Sequence, residues 1–294
     1  MRILVTGAGG QLGSEIRFLA NEPGQMTFRF HTSQSLDITD SKQVHAELSS
    51  YKPDYVINCA AYTAVDLAED EPDKAIKVNA TAVGYLVSAC KACDACLIHI
   101  STDYVFDGTG SVPYTPSDDC KPLGSYGTSK RLGEIEILSK EIDAFIIRTS
   151  WVYSSYGKNF VKTMLRLGSE RSELNVVADQ FGSPTYAGDL AKAILEIVVS
   201  KTRPGGTEIY HYCNQGVCSW NEFAAEIMRV SGLSCEIHPI STVDYPTKAA
   251  RPGYSVLDTT SFKERFSGTT IPNWKEALER CHERMVATKG TELN

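Results

Sequence analysis

The first thirteen residues constrain this chain more than any other stretch. Met1–Thr6 is a short apolar, partly β-branched run, and Gly7-Ala-Gly-Gly-Gln-Leu-Gly13 follows at once. From Ser14 to Ala20 apolar residues return at helical spacing, so the order is strand, glycine loop, helix. The three glycines suit three jobs. Gly7 can take the tight turn, Gly10 lets main chain come close to a pyrophosphate, and Gly13 lets the helix pack on the strand. The free N–H groups at the helix start favour an anion. A glycine trio alone would fit a plain tight turn. The strand before it and the helix after it are what point to a dinucleotide.

The same alternation continues. Strands are expected over Met26–Phe30, Asp54–Asn58 and Ala95–Ser101. One helix is capped by Asp40 or Ser41 and runs to Ser50; another starts at Pro72 and runs to Lys91. Alternating β and α implies a parallel sheet covered on both faces, with ligands at the carboxyl ends of its strands. Past Trp151 the pattern loosens. Helices are expected over Lys158–Ser169, Ala187–Ser200, Phe223–Val230 and Pro272–Ala287, and strands over Leu174–Ala178, Glu208–Cys213 and Cys235–Ile240. Ser219-x-x-Glu222 reads as a capping box. Asp179–Thr185 is a polar, ligand-facing loop, and the last residues are expected to be loose. The expected fold is a Rossmann-type, doubly wound α/β sheet with a smaller α/β substrate-binding lobe. Residues 1–150 form the nucleotide domain, completed by 205–230, and 151–294 form mainly the lobe.

Composition narrows the function classes. With 42% hydrophobic residues among 294, a full core is within reach. A net charge of −7 without a long basic run disfavours nucleic acid. No apolar stretch reaches the ~18 residues of a membrane helix. Met1 opening directly on a strand leaves no room for a leader, which points to the cytoplasm. Nine cysteines, an odd count, fit reduced thiols better than a disulfide framework. Cys90-x-x-Cys93-x-x-Cys96 has metal-like spacing, but no second pair accompanies it, and a helix end turning into a buried strand accounts for it equally.

Two strand ends carry candidate chemistry. Ser101-Thr-Asp-Tyr-Val-Phe-Asp-Gly108 is a polar burst closing an apolar strand. Ser125-Tyr-Gly-Thr-Ser-Lys130 opens a helix, with Tyr126 and Lys130 four apart on one face. A phenol is a weak acid–base group near neutrality, and an ammonium beside it draws it toward the working range. Lys130 can also reach ribose hydroxyls. Small residues follow the third strand at Ala60-Ala61-Tyr62-Thr63, where a cofactor can lie close, and Asp37-Ile38 stands where an adenine can be met. After the second strand, where a carboxylate would hold the ribose of NADH, the chain reads His31-Thr-Ser-Gln-Ser35. Arg29 or His31 could instead meet a 2′-phosphate, which favours NADPH and leaves NADH possible.

Gly7-x-x-Gly10-x-x-Gly13, Ser101-Thr102 and Tyr126-x-x-x-Lys130 resemble the extended short-chain dehydrogenases/reductases. The stretches 58–66, 101–108, 148–153 and 179–185, with Arg251-Pro252, resemble more narrowly the dTDP-4-dehydrorhamnose reductase family, over nearly the whole chain. The resemblance implies NAD(P)H-dependent reduction of the 4-keto group of a dTDP-6-deoxy sugar. It implies that Tyr126 donates the proton, Lys130 lowers the Tyr126 pKa and holds the nicotinamide ribose, and Thr102 bonds the oxyanion. Gly10, Gln11, Leu12, Asp37, Ile38, Ala61, Tyr62 and Thr63 fall at cofactor positions, and Asp103, Trp151 and Arg251 at substrate positions. A homodimer is the family default. Glu15 matches a carboxylate that bridges family dimers through Mg2+, without a completed ligand set. Tyr254 departs from the asparagine more usual in the family. Two other readings compete. One is an epimerase or dehydratase, but dehydrating relatives carry an acidic pair directly after the threonine, and here Asp103 precedes Tyr104. The other is a regulatory subunit that binds cofactor without catalysis, which would have no need of Tyr126 and Lys130.

Overall fold

The computed structural model describes residues 1–20 and 26–291, with side chains in the last helix as far as Ala287; the final three residues, expected to be loose, lie outside it. The chain begins with β1 (Arg2–Thr6), α1 (Gln11–Leu19), β2 (Thr27–Phe30), α2 (Ser41–Tyr51) and β3 (Tyr55–Asn58). Asp40 caps α2 by accepting from the amides of Lys42 and Gln43. The helix expected from Pro72 has three parts: α3 (Pro72–Ile76), a π-turn (Lys77–Thr81) and α4 (Ala82–Cys93). Then come β4 (Cys96–Thr102), α5 (Ser125–Leu138), β5 (Ala144–Thr149), β6 (Val152–Tyr153) and α6 (Phe160–Glu170). The remainder is β7 (Glu173–Val177), β8 (Phe181–Gly182), β9 (Thr185–Tyr186), α7 (Ala187–Val199), β10 (Thr207–His211), β11 (Cys218–Ser219), α8 (Trp220–Ser231), β12 (Glu236–Ile240), α9 (Thr260–Arg265) and α10 (Trp274–Thr291). The capping box of Ser219 and Glu222 forms at α8. Sequence analysis singles out neither β5 nor α9.

Six strands form one parallel sheet in the order β2-β1-β3-β4-β5-β10. The winding reverses between β1 and β3, and the crevice outside that reversal is where such sheets bind ligands. Strand alternation builds both faces. Ile3 and Val5 point to a core shared with α1 and α7, while Leu4 points to one shared with α2 and α4. A separate core joins α6, β7, α8 and α10. The second half is therefore divided: α7 and β10 pack with the sheet, and α8 with the other lobe. Cys90 and Cys96 are buried in the sheet core and Cys93 half-buried. No helix among the described residues is long and apolar enough to cross a membrane.

Candidate active site

The glycine loop is built by main-chain sterics. Gly7 sits at φ +65°, and a Cβ there would lie 2.5 Å from the Ala60 nitrogen. A Cβ on Gly13 would lie 2.5 Å from the Gly7 carbonyl, so this glycine lets the helix close on the loop itself, not on the strand as expected. Gly10 ends the turn by donating from its N–H to the Gly7 carbonyl (2.9 Å), and caps α1 without a side chain. The first amides of α1 therefore face an open cleft, which suits a pyrophosphate.

That cleft, about 650 Å³, runs between the sheet and the second lobe. Gly10, Gln11, Leu12, Ala61 and Thr63 line one side, Thr102, Asp103, Tyr126 and Lys130 the floor, and Trp151 the far wall. The remaining expected residues stand back from it. Ala60 touches the loop from behind. The Tyr62 amide donates to Asn79 Oδ1 (2.8 Å) and its hydroxyl to Glu71 (2.9 Å). Asp37 closes its own turn through Thr39, and the Ile38 side chain is buried in the sheet core. His31 lies 3.1 Å from Glu47 of α2, which also takes Arg29 at 2.8 Å. Sequence analysis finds no carboxylate beside β2 because this one arrives from the next helix. Arg251 donates to Asp66 (2.6 Å), in the loop after β3, and its other terminal nitrogen is buried without a partner among the described residues.

The catalytic candidates are held by a buried ion pair. Glu134, three-quarters along α5, takes two hydrogen bonds from Arg148 of β5 (both 2.9 Å) and one from Ser101 (2.6 Å). Burial opposes its ionisation, yet the Arg148 bonds and charge hold its carboxyl below the usual range. This cross-tie sets α5 against the ends of β4 and β5. Tyr126 and Lys130 then project from α5 toward Thr102. Burial pushes the Tyr126 phenol up to about 12, against a hydrogen bond with Thr102; the Asp103 charge adds to the rise. The phenol is thus fully protonated near neutrality, not drawn down by Lys130 as expected, because burial outweighs every other influence on it. The Lys130 amine is brought down to about 8 by burial, against the Glu134 charge, and is engaged with the Ile100 carbonyl of β4 at 2.6 Å. Asp103 accepts from Thr102 (3.0 Å), and burial lifts its carboxyl to about 6.

Trp151 occupies the left-handed region at φ +49°, unusual for a bulky residue and typical of a site whose surroundings over-determine it. Its ring stacks on Trp220 with centroids 3.5 Å apart and planes 7° from parallel; Phe160 packs on the outer ring. Trp220 does not stand out in the sequence as a site residue; its only local signal is its place in the first turn of a capped helix. It also missed Gln11's second role: its amide donates to the Val152 carbonyl (3.4 Å) and accepts from Asn159 (2.9 Å), joining the lobes.

The Mg2+ that the resemblance left possible at Glu15 finds no support. Glu15 is fully buried, accepts from Ser154 (2.6 Å) and is paired with Arg284 of α10. A guanidinium stands where a cation would bind. Among the described residues no group of three or more histidines, cysteines or carboxylates could hold a metal ion.

A family model described as RmlD substrate binding domain matches residues 1–287. The chain is 44% identical to the spore coat polysaccharide biosynthesis protein SpsK of Bacillus subtilis, over 97% of this chain and 99% of that protein. A dTDP-4-dehydrorhamnose reductase structure from Clostridium acetobutylicum is 39% identical and superposes with a TM-score of 0.92 over 97% of this chain and 99% of the other. A second, from Bacillus anthracis in complex with NADP, is 39% identical with a TM-score of 0.90 over 96% and 99%. With its cleft, its Tyr-x-x-x-Lys helix and these matches along nearly its full length, the chain belongs to the dTDP-4-dehydrorhamnose reductase family.

Proposed function

We propose that the chain uses NADPH to reduce the 4-keto group of dTDP-4-dehydro-L-rhamnose, yielding dTDP-L-rhamnose. The observation that carries this reading is the Thr102–Tyr126 hydroxyl pair at the floor of a cleft that begins at the helix N-terminus of the glycine loop. Gly10, Gln11 and Leu12 would hold the pyrophosphate, and Lys130 the nicotinamide ribose. A bound reduced nicotinamide supplies the hydride. Arg29 and His31 offer cationic and donor groups for a 2′-phosphate, and a relative of 39% identity was solved with NADP.

Thr102 and Tyr126 converge on the place of the sugar carbonyl oxygen. As charge develops there, the Tyr126 hydroxyl stabilises it, joined by the Thr102 hydroxyl once its proton turns from Asp103. Tyr126, protonated throughout the physiological range, then passes its proton to that oxygen. A phenol kept neutral by burial suits a proton donor for an alkoxide, which is far more basic. The stacked face of Trp151 and Trp220 offers a flat apolar wall for sugar or base. Asp103 followed by Tyr104 supplies no acidic pair for dehydration, which favours reduction over the lyase chemistry of related folds. The reading includes a cytoplasmic homodimer, checked by sedimentation and by imaging a tagged chain.

The test is oxidation of NADPH, then of NADH, by pure protein with dTDP-4-dehydro-L-rhamnose, beside Tyr126→Phe. Turnover that falls by about 10²–10⁴ in the variant supports both reaction and proton donor. No oxidation with either cofactor sinks the reading.

A further inference from the structure

A chain of buried polar groups runs behind the site to Lys130, and its other members, Thr6, Asn58 and His99, enter no step above. Thr6 at the end of β1 donates to Asn58 Oδ1 (2.6 Å), and the Ala60 amide donates to the same oxygen (3.2 Å). Asn58 Nδ2 stands 3.0 Å from His99 Nδ1, and His99 Nε2 stands 3.3 Å from Lys130 Nζ. Thr6, Asn58, His99 and Lys130 are each at most 2% exposed.

These contacts leave one consistent arrangement of protons. A main-chain N–H can only donate, so Ala60 fixes Oδ1 as the acceptor end of the Asn58 amide and Nδ2 as its donor end. His99 Nδ1 must then accept. Burial keeps the imidazole neutral, well below its usual range. A neutral ring carries one proton, and it must lie on Nε2, aimed at Lys130. An ammonium has three donors and no acceptor, so it would meet this N–H donor to donor. A neutral amine accepts from it through its lone pair and still donates to the Ile100 carbonyl (2.6 Å).

We propose that His99, locked as the Nε2–H tautomer by Asn58, is a positioning residue that favours the neutral amine of Lys130 in the free chain, so that on the alkaline side of neutrality cofactor binding is coupled to proton uptake by Lys130. The other groups facing Lys130 do not undo this. Glu134 on the same helix favours the ammonium, but its carboxylate is shared between Arg148 and Arg131. Cys59, after β3, is pushed up to about 12 by burial and stays a neutral thiol, and the Tyr126 phenol stays neutral as well. Burial lowers Lys130 to about 8, in the same direction. The ribose hydroxyls and phosphates of a dinucleotide add acceptors and negative charge and draw a proton from solvent onto Nζ.

The coupling half of the inference rests on the proposed cofactor site; the tautomer half does not. NMR of the free wild-type chain with 15N-histidine reads the tautomer directly. A proton on Nε2 of His99 is expected, and a proton on Nδ1 would overturn the proposal. With 13C-lysine, Lys130 is expected to titrate near pH 8, and about one unit higher in Asn58→Ala, where the ring is free to turn its acceptor to the ammonium. Equal titration in the two proteins overturns it, and should Asn58→Ala not fold, the wild-type tautomer alone decides. Mixing with NADPH at pH 8 in weak buffer with an indicator dye is expected to take up close to half a proton per chain. NADPH that binds without uptake sinks the coupling and leaves the reductase reading standing. NADPH that does not bind sinks the cofactor reading, while the tautomer and the lysine titration still decide the network.

Discussion

The two walls of the cleft are made in different ways. The glycine-loop wall comes from one contiguous stretch, Gly7–Gly13, and its working surface is main chain. The opposite wall comes from side chains brought together across long separations: Trp151 after β5, Phe160 at the start of α6 and Trp220 at the start of α8. A wall of main chain tolerates changes of side chain but not a new Cβ where chains touch. A wall of side chains does the reverse. The floor between them has a third character, since buried ionisable groups there are held against their own solvation.

Substitutions that respect or violate these three constructions separate them. The largest effect is expected from Gly7→Ala. It forces a Cβ into the left-handed region and onto the Ala60 nitrogen, two penalties that together exceed about 4 kcal/mol, read by urea unfolding, with loss of NADPH binding. Wild-type stability would show that the loop can relax and that the wall is not made as described.

Asp103→Asn tests the floor. The folded carboxyl titrates at about 6, above its ordinary value, because burial disfavours the charge. The folded chain therefore holds the extra proton between about pH 4 and 6, stability rises as pH falls through that window, and above it the ionised group is a cost. The variant should gain about 3 kcal/mol at pH 7, and the gain should fade toward pH 4, read from unfolding midpoints at both ends. A gain equal at both pH values would mean that it comes from packing, not charge.

Trp220→Ala tests the far wall. Removing the stack under Trp151 should raise the KM for the keto sugar by about tenfold, the equivalent of one aromatic pair, while the Kd for NADPH moves less than about twofold. Equal losses for both ligands would merge the walls the comparison keeps apart. The smallest effect is expected at the cleft's adenosine end. Glu47→Gln removes the carboxylate that draws Arg29 and His31 aside, and should shift the NADPH-over-NADH preference by only about threefold, since such partly exposed pairs are weak.

Legibility in the sequence follows the same division. β1, the loop and α1 are readable because every constraint on them acts within thirteen residues. Tyr126 and Lys130 are readable because helical spacing alone puts them on one face. β5 is harder: Phe-Ile-Ile is flanked by Arg148, which looks like a strand-ending charge. Only the structure shows that guanidinium 1% exposed and spent on Glu134. The partner of Glu15 is hidden for a related reason, because the cation that satisfies it is supplied from 269 residues away.

By itself the sequence determined the alternation of strands and helices, the glycine turn and the phenol–lysine helix, since backbone sterics and periodicity act between near neighbours. Tertiary structure alone decided which charges are paired, which rings stack, and where the protons of Asn58, His99 and Lys130 must lie. Those depend on desolvation and on contacts between segments far apart in the chain, and no local pattern encodes them.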